Sequence, residues 1–161
     1  MHARPTQTIL EAFDMLPPGV AELLIDTPIL CGVTSEELGW NDSHMRPDGS
    51  SWSEYSFTHY DFGQINRPAA ERRTSIILPK PVRAEKIVHE LGHVLDQILG
   101  WPPAPSPVSA YARSCRAEAF AEGFAAAHCD RYSAAGPFAP WRLALYRRQH
   151  PHYAYYFTRV R

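Results

Sequence analysis

Apolar residues at Ile9, Leu10, Phe13 and Leu16 within Thr8 to Leu16 repeat with the spacing of one helical face. Pro17-Pro18-Gly19 stops that helix. Val20 to Val33 is apolar and partly β-branched, which predicts a helical turn followed by a strand around Leu24 to Leu30. Glu54 to Phe62 alternates loosely and is a candidate strand. Thr74 to Leu78 is a short apolar run closed by Pro79 and Pro81, the mark of a buried strand. Gly39 to Ser53 and Gly63 to Arg73 read as loops.

Beyond Pro81 the period changes. Val82 to Leu99 carries Ile87, Leu91, Val94, Leu95 and Ile98 on one helical stripe. Pro102 to Pro107 predicts an extended linker. Ser114 to about Cys129 predicts a second long helix with Ala117, Phe120, Ala121, Phe124 and Ala125 on its buried face. Pro137 and Pro140 break the chain before a last helical pair, with Trp141 and Leu145 and then Tyr153, Tyr156, Phe157 and Val160. Strands in the first half and helices in the second give an α+β class. A length of 161 residues suits one domain, residues 1–161, with a small N-terminal sheet and C-terminal helices.

Composition narrows the options only a little. The hydrophobic share of 45% and charged share of 20% are those of an ordinary globular chain. A net charge of -1 gives no one-sign field for nucleic acid or a membrane surface. No apolar run approaches the roughly 20 residues of a membrane span. Met1 to Leu10 lacks the apolar stretch and cleavage site of a secretory signal, so the chain as read fits the cytoplasm. Cys31, Cys115 and Cys129 form no CxxC pair and are expected as free thiols. A helix would hold Cys115 and Cys129 about 21 Å apart.

The chemistry is concentrated in His89-Glu90-Leu91-Gly92-His93. This is HExxH, inside the helix expected from Val82 to Leu99. Two histidines four apart lie on one helix face, roughly 6 Å between side-chain origins. Both imidazoles therefore reach one Zn2+ ion, for which two imidazoles, an oxygen ligand and a water are a suitable set. Glu90, turned about 100° from His89, is positioned to take a proton from the water. Chance yields the bare pattern in roughly one in forty shuffled chains of this composition; the amphipathic helix around it makes the site reading the stronger one.

Six residues after His93 stands Leu99, which cannot bind metal, so a metzincin arrangement is excluded. A third ligand is better sought on the next helix. There Glu118 and Glu122 are four apart and share a face. One can bind the metal while the other accepts a hydrogen bond from a ligand imidazole. His128 is an alternative ligand more than two turns further along.

The stretches VHELGHVLDQ (Val88 to Gln97) and YARSCRAEAFAEGFAAA (Tyr111 to Ala127) together resemble the anthrax lethal factor and Pro-Pro endopeptidase family of gluzincins. The shared features are HExGHxxD and a tyrosine seven residues before a glutamate, and Pro151 to Phe157 is similar to the family's tail. The resemblance spans Val82 to about Phe157. It implies a zincin-like metallopeptidase fold with one zinc per chain held by His89, His93 and Glu118. It further implies that Glu90 is the general base, that Tyr111 supports the oxyanion, and that Glu122 lies behind the ligands. Asp96, on the zinc-facing side of its helix, is a further supporting candidate. Secretion and a toxin-like or proline-directed protease are also implied, although Ala117 stands where a polar side chain would face substrate in a Pro-Pro endopeptidase. Trp52, Tyr55 or Trp101 are candidates for a proline-accepting pocket.

The expected reaction is hydrolysis of a peptide or protein substrate by zinc-activated water, with Glu54 to Phe62 or Thr74 to Leu78 as the strand along which substrate lies. Two alternatives stand beside it. One is a cytosolic regulatory HExxH protease that cleaves a repressor. The other is a non-catalytic binding module stabilised by zinc.

Overall fold

The computed structural model describes residues 5–34, 37, 57–59, 74–103 and 105–129. Helix α1, Pro5–Asp14, opens on a proline, whose missing N–H costs nothing in the first helical turn. It ends two residues before the expected Leu16, where Met15 and Leu16 tighten into a turn on the carbonyls of Ala12 and Phe13. Helix α2, Pro18–Leu24, repeats the device with Pro18 just inside its start. The expected strand then begins later, as β1, Ile29–Cys31.

Two further strands complete one sheet, β2 at Phe57–His59 and β3 at Ser75–Leu78. The order is β1-β3-β2. β1 runs parallel to β3 with Ile29 opposite Ile76, and β2 runs antiparallel to it with Thr58 opposite Ile76. All four residues of β3 are buried, as a continuous apolar run in a central strand requires. That corrects one expectation. With both flanks paired, Thr74 to Leu78 cannot receive a substrate strand, whereas β2 is an edge among the described residues.

Helix α3, Ala84–Ile98, follows the two prolines with Glu85 in its first turn, where a carboxylate suits the helix dipole. Its end is a Schellman closure. Gly100, at φ 75°, bonds Gln97 O at 3.0 Å, and the N–H of Trp101 reaches Asp96 O at 3.0 Å. Helix α4, Arg116–His128, follows a short 3-10 turn at Tyr111–Arg113 and packs chiefly against α3.

The core joins Leu16, Val20 and Leu24 to Ile76, Ile87, Leu91, Leu95, Phe120 and Phe124. On the face expected of α1, Leu10 is 60% exposed, and the stripes of α3 and α4 each have a member that is not buried. Ile98, in the last turn of α3, is 48% exposed, and Ala117, in the first turn of α4, is only half-buried. The larger difference is that α3 is not one-sided. Every residue from Ile87 to Asp96 is buried, because α4 and β2 cover the face that carries its polar side chains.

Closeness of α3 to α4 has a specific cause. A Cβ at Gly92 would lie 3.0 Å from Ala121 Cα and 3.1 Å from Phe124 Cδ1. Glycine lets the two backbones approach to where an alanine methyl would be tighter than ordinary contact. The described architecture is thus a mixed α+β arrangement, a small sheet with helices packed about α3. The aromatic tail expected to be helical, Trp141 to Val160, lies outside the described residues, as do Trp52 and Tyr55.

Candidate metal centre

Three of the expected ligands meet at the α3–α4 seam. One ligand atom from each of His89, His93 and Glu118 lies within 4.8 Å of the other two, a group able to hold a metal ion. Glu118 divides its carboxylate between the rings, with Oε2 at 3.1 Å from His89 Nε2 and Oε1 at 3.5 Å from His93 Nε2. The rings themselves meet edge to face, with centroids 4.9 Å apart. His89 and His93 are buried at 1% and 7% exposure, unlike histidines on a solvated helix face.

Burial acts first on each of these groups, and their neighbours then decide the outcome. In His89 burial prevails and the ring's pKa falls below its ordinary value, despite the bond to Glu118 and the charge of Glu90. In His93 burial is outweighed by the bond to Glu118 and by the charges of Glu90 and Glu118, and its pKa rises. Burial would push Glu118 up, but its contacts with His89 and His93 hold it well below the usual carboxylate range. Glu118 is thus an anion at any ordinary pH. A deprotonated oxygen and two imidazoles are the donor set that suits zinc.

Behind this group, Glu122 Oε1 lies 3.8 Å from His89 Nδ1, on the side of the ring turned away from Glu118. Glu122 is buried, as befits a carboxylate that orients a ligand ring. Asp96 is fully buried, and both its oxygens accept from Arg116, Oδ1 at 2.9 Å and Oδ2 at 2.7 Å. It steadies the start of α4, two residues before Glu118. His128 is buried with its ring 4.7 Å from that of Phe124 and is not in the metal-holding group.

Glu90 is buried on the same helix with a partner at each oxygen. Thr58 Oγ1 donates to Oε2 at 2.8 Å, and Lys86 Nζ lies 3.1 Å from Oε1. Burial would raise its pKa, but Lys86, the two histidines and Thr58 together bring it below the ordinary value. Tyr111 is 46% exposed, with its ring centroid 6.3 Å from that of His89. Three short main-chain and side-chain bonds, including Ala112 N to Ser109 Oγ at 3.0 Å, fix the turn that carries it.

Sequence reasoning missed Thr58, Lys86 and Arg116. Lys86 had a signal, since it precedes Glu90 by four residues and such pairs face each other on a helix. Thr58 and Arg116 had none, because their partners are 32 and 20 residues away. Shape would not have located this group either. A cavity of about 640 Å³ lies between α1, the ends of β1 and β3 and the start of α3, and none of His89, Glu90, His93 or Glu118 lines it.

Compared with known proteins, the chain matches no family model, no curated protein and no solved structure. Among the described residues no helix is long and apolar enough to cross a membrane.

Proposed function

We propose that the chain is a zinc-dependent endopeptidase with a zincin-like fold, akin to the lethal factor and Pro-Pro endopeptidase gluzincins that its motifs resemble. The observation that carries this reading is the convergence of His89 and His93 Nε2 on the carboxylate of Glu118, with a buried glutamate immediately after His89. A solvated pair of helix glutamates would not be drawn in against two buried imidazoles in this way.

His89, His93 and Glu118 would hold the ion. When bound, zinc supplies a Lewis acid that polarises a scissile carbonyl and acidifies water. Glu122, with Oε1 3.8 Å from Nδ1 on the far side of the ring, orients His89 by its charge. Glu90 is ionised and accepts a proton from the attacking water, then returns it to the leaving amine. Tyr111, its ring centroid 6.3 Å from that of His89, donates its phenolic hydroxyl to the developing oxyanion. β2 is the strand that substrate would extend along, since β3 is paired on both sides.

The test uses zinc-loaded protein and a Glu90→Gln variant on a mixed peptide library, half of it proline-rich. Cleavage should fall by at least roughly a hundredfold in the variant, with zinc content unchanged. Cuts concentrated at proline pairs would support the Pro-Pro endopeptidase likeness, and cuts elsewhere would keep the chemistry alone. Zinc bound tightly with no cleavage by either protein would favour a zinc-stabilised binding module.

A further inference from the structure

Glu90 is the group whose orientation matters most to the proposed chemistry, and its two partners differ in kind. Lys86 is 37% exposed at its side chain and reaches Oε1 on a flexible four-carbon stem. Thr58 is β-branched, with a restricted χ1, and sits on a strand whose register opposite Ile76 is fixed. Its hydroxyl lies 2.8 Å from Glu90 Oε2 and 3.1 Å from the main-chain oxygen of the same residue.

We infer that Thr58 is a positioning residue for Glu90, selecting one rotamer of its carboxylate from across the fold. The chemical purpose rests on the peptidase reading, whereas the contact itself does not. A carboxylate offers about four lone-pair sites. Thr58 engages one of these and fixes the plane of the group, so the remaining sites point in set directions. Without it, Glu90 would be held only from its own helix, by a lysine that water can draw away. The arrangement also joins the edge strand to the base, because the residue that holds Glu90 is in the middle of β2. A shift of β2 would reach the carboxylate through a single hydrogen bond.

The experiment uses the full chain with Thr58→Val, which keeps the branched shape and removes the hydroxyl, and Thr58→Ser, which keeps the hydroxyl. In metal-free protein the ¹³Cδ signal of Glu90, assigned with Glu90→Gln, should move in the valine variant and return in the serine variant. In Co2+-loaded protein, acetohydroxamate chelates the ion and passes its hydroxyl proton to a carboxylate beside it. Its affinity, read from the visible spectrum, should weaken at least about tenfold in the valine variant, as loss of a hydrogen bond to a charged group implies. Co2+ affinity itself should change less than about twofold, and the serine variant should match wild type within about twofold.

An unmoved carboxyl signal with unchanged acetohydroxamate affinity would overturn the inference. So would a serine variant that behaves like valine, or a valine variant that loses Co2+, since Thr58 would then support the scaffold and not the base. Wild type that takes up no Co2+ would defeat the metal-centre reading alone. The carboxyl signal would still decide whether Thr58 holds Glu90.

Discussion

Among the carboxylates of α3 and α4, Asp96, fully buried, and Glu118, half-buried, are completed in opposite ways. Asp96 is met by a guanidinium, a permanent cation whose fork matches both oxygens. The same Arg116 also bonds Pro102 O at 3.0 Å and lies 5.5 Å above the ring of Trp101. Glu118 is met by two imidazoles, which gain or lose charge near neutral pH. The first site is closed by the chain's own charge and serves to join helices. The second relies on titratable imidazoles and, under the proposed function, is the one that would take up a cation. On that proposal the helix pair separates the job of holding itself together from the job of holding an ion.

The largest expected effect breaks the closed site. Arg116→Met would leave Asp96 buried and uncompensated, at a cost of about 3–5 kcal/mol in urea denaturation. Glu118→Gln keeps a polar group between the two rings and should cost metal-free protein less than Arg116→Met does, yet abolish the rise in Tm that zinc gives wild type. Equal losses in the two variants would end the distinction between the sites.

Glu122→Gln sharpens the comparison from behind the ligands. Zinc affinity, measured by competition with a chelator, should weaken about 10- to 100-fold, with the fold intact by circular dichroism. An unchanged affinity would make Glu122 a core carboxylate with no part in the metal group.

The smallest effect concerns pH. His93 has a raised pKa in metal-free protein, and the proton must leave before the ring can bind an ion. Affinity should therefore be full above that pKa and fall by up to about tenfold per pH unit below it. Glu118, held far below the usual carboxylate range, adds no proton in this window. Calorimetry in buffers of different ionisation enthalpy would count the released proton, and a count of zero at pH about 6.5 would contradict the raised value for His93.

Much of this was legible because it is local. The HExxH spacing, the apolar run of β3 and the periodicity of α3 all depend on residues within a turn or a strand. So did the proline stops before α2 and α3. What escaped depends on distant partners. No pattern around Phe57 to His59 shows that Thr58 meets Glu90, and none around Asp96 shows that Arg116 will occupy both its oxygens. The stripe on α3 ran one residue too far at Ile98 because periodicity does not record where the neighbouring helix begins. Nor does an apolar run distinguish a central strand from an edge, which is why Thr74 to Leu78 remained open as a substrate strand until its two partners were seen.

Gly92 gives the seam one more property. Its missing methyl group sets the gap between the backbone that carries His89 and His93 and the backbone that carries Glu118. Adding atoms there, as alanine and then serine, would act as a graded wedge, and the binding constant for a metal would become a ruler of helix separation. The spacing of the His89–His93–Glu118 group and the density of the core then depend on a single hydrogen atom.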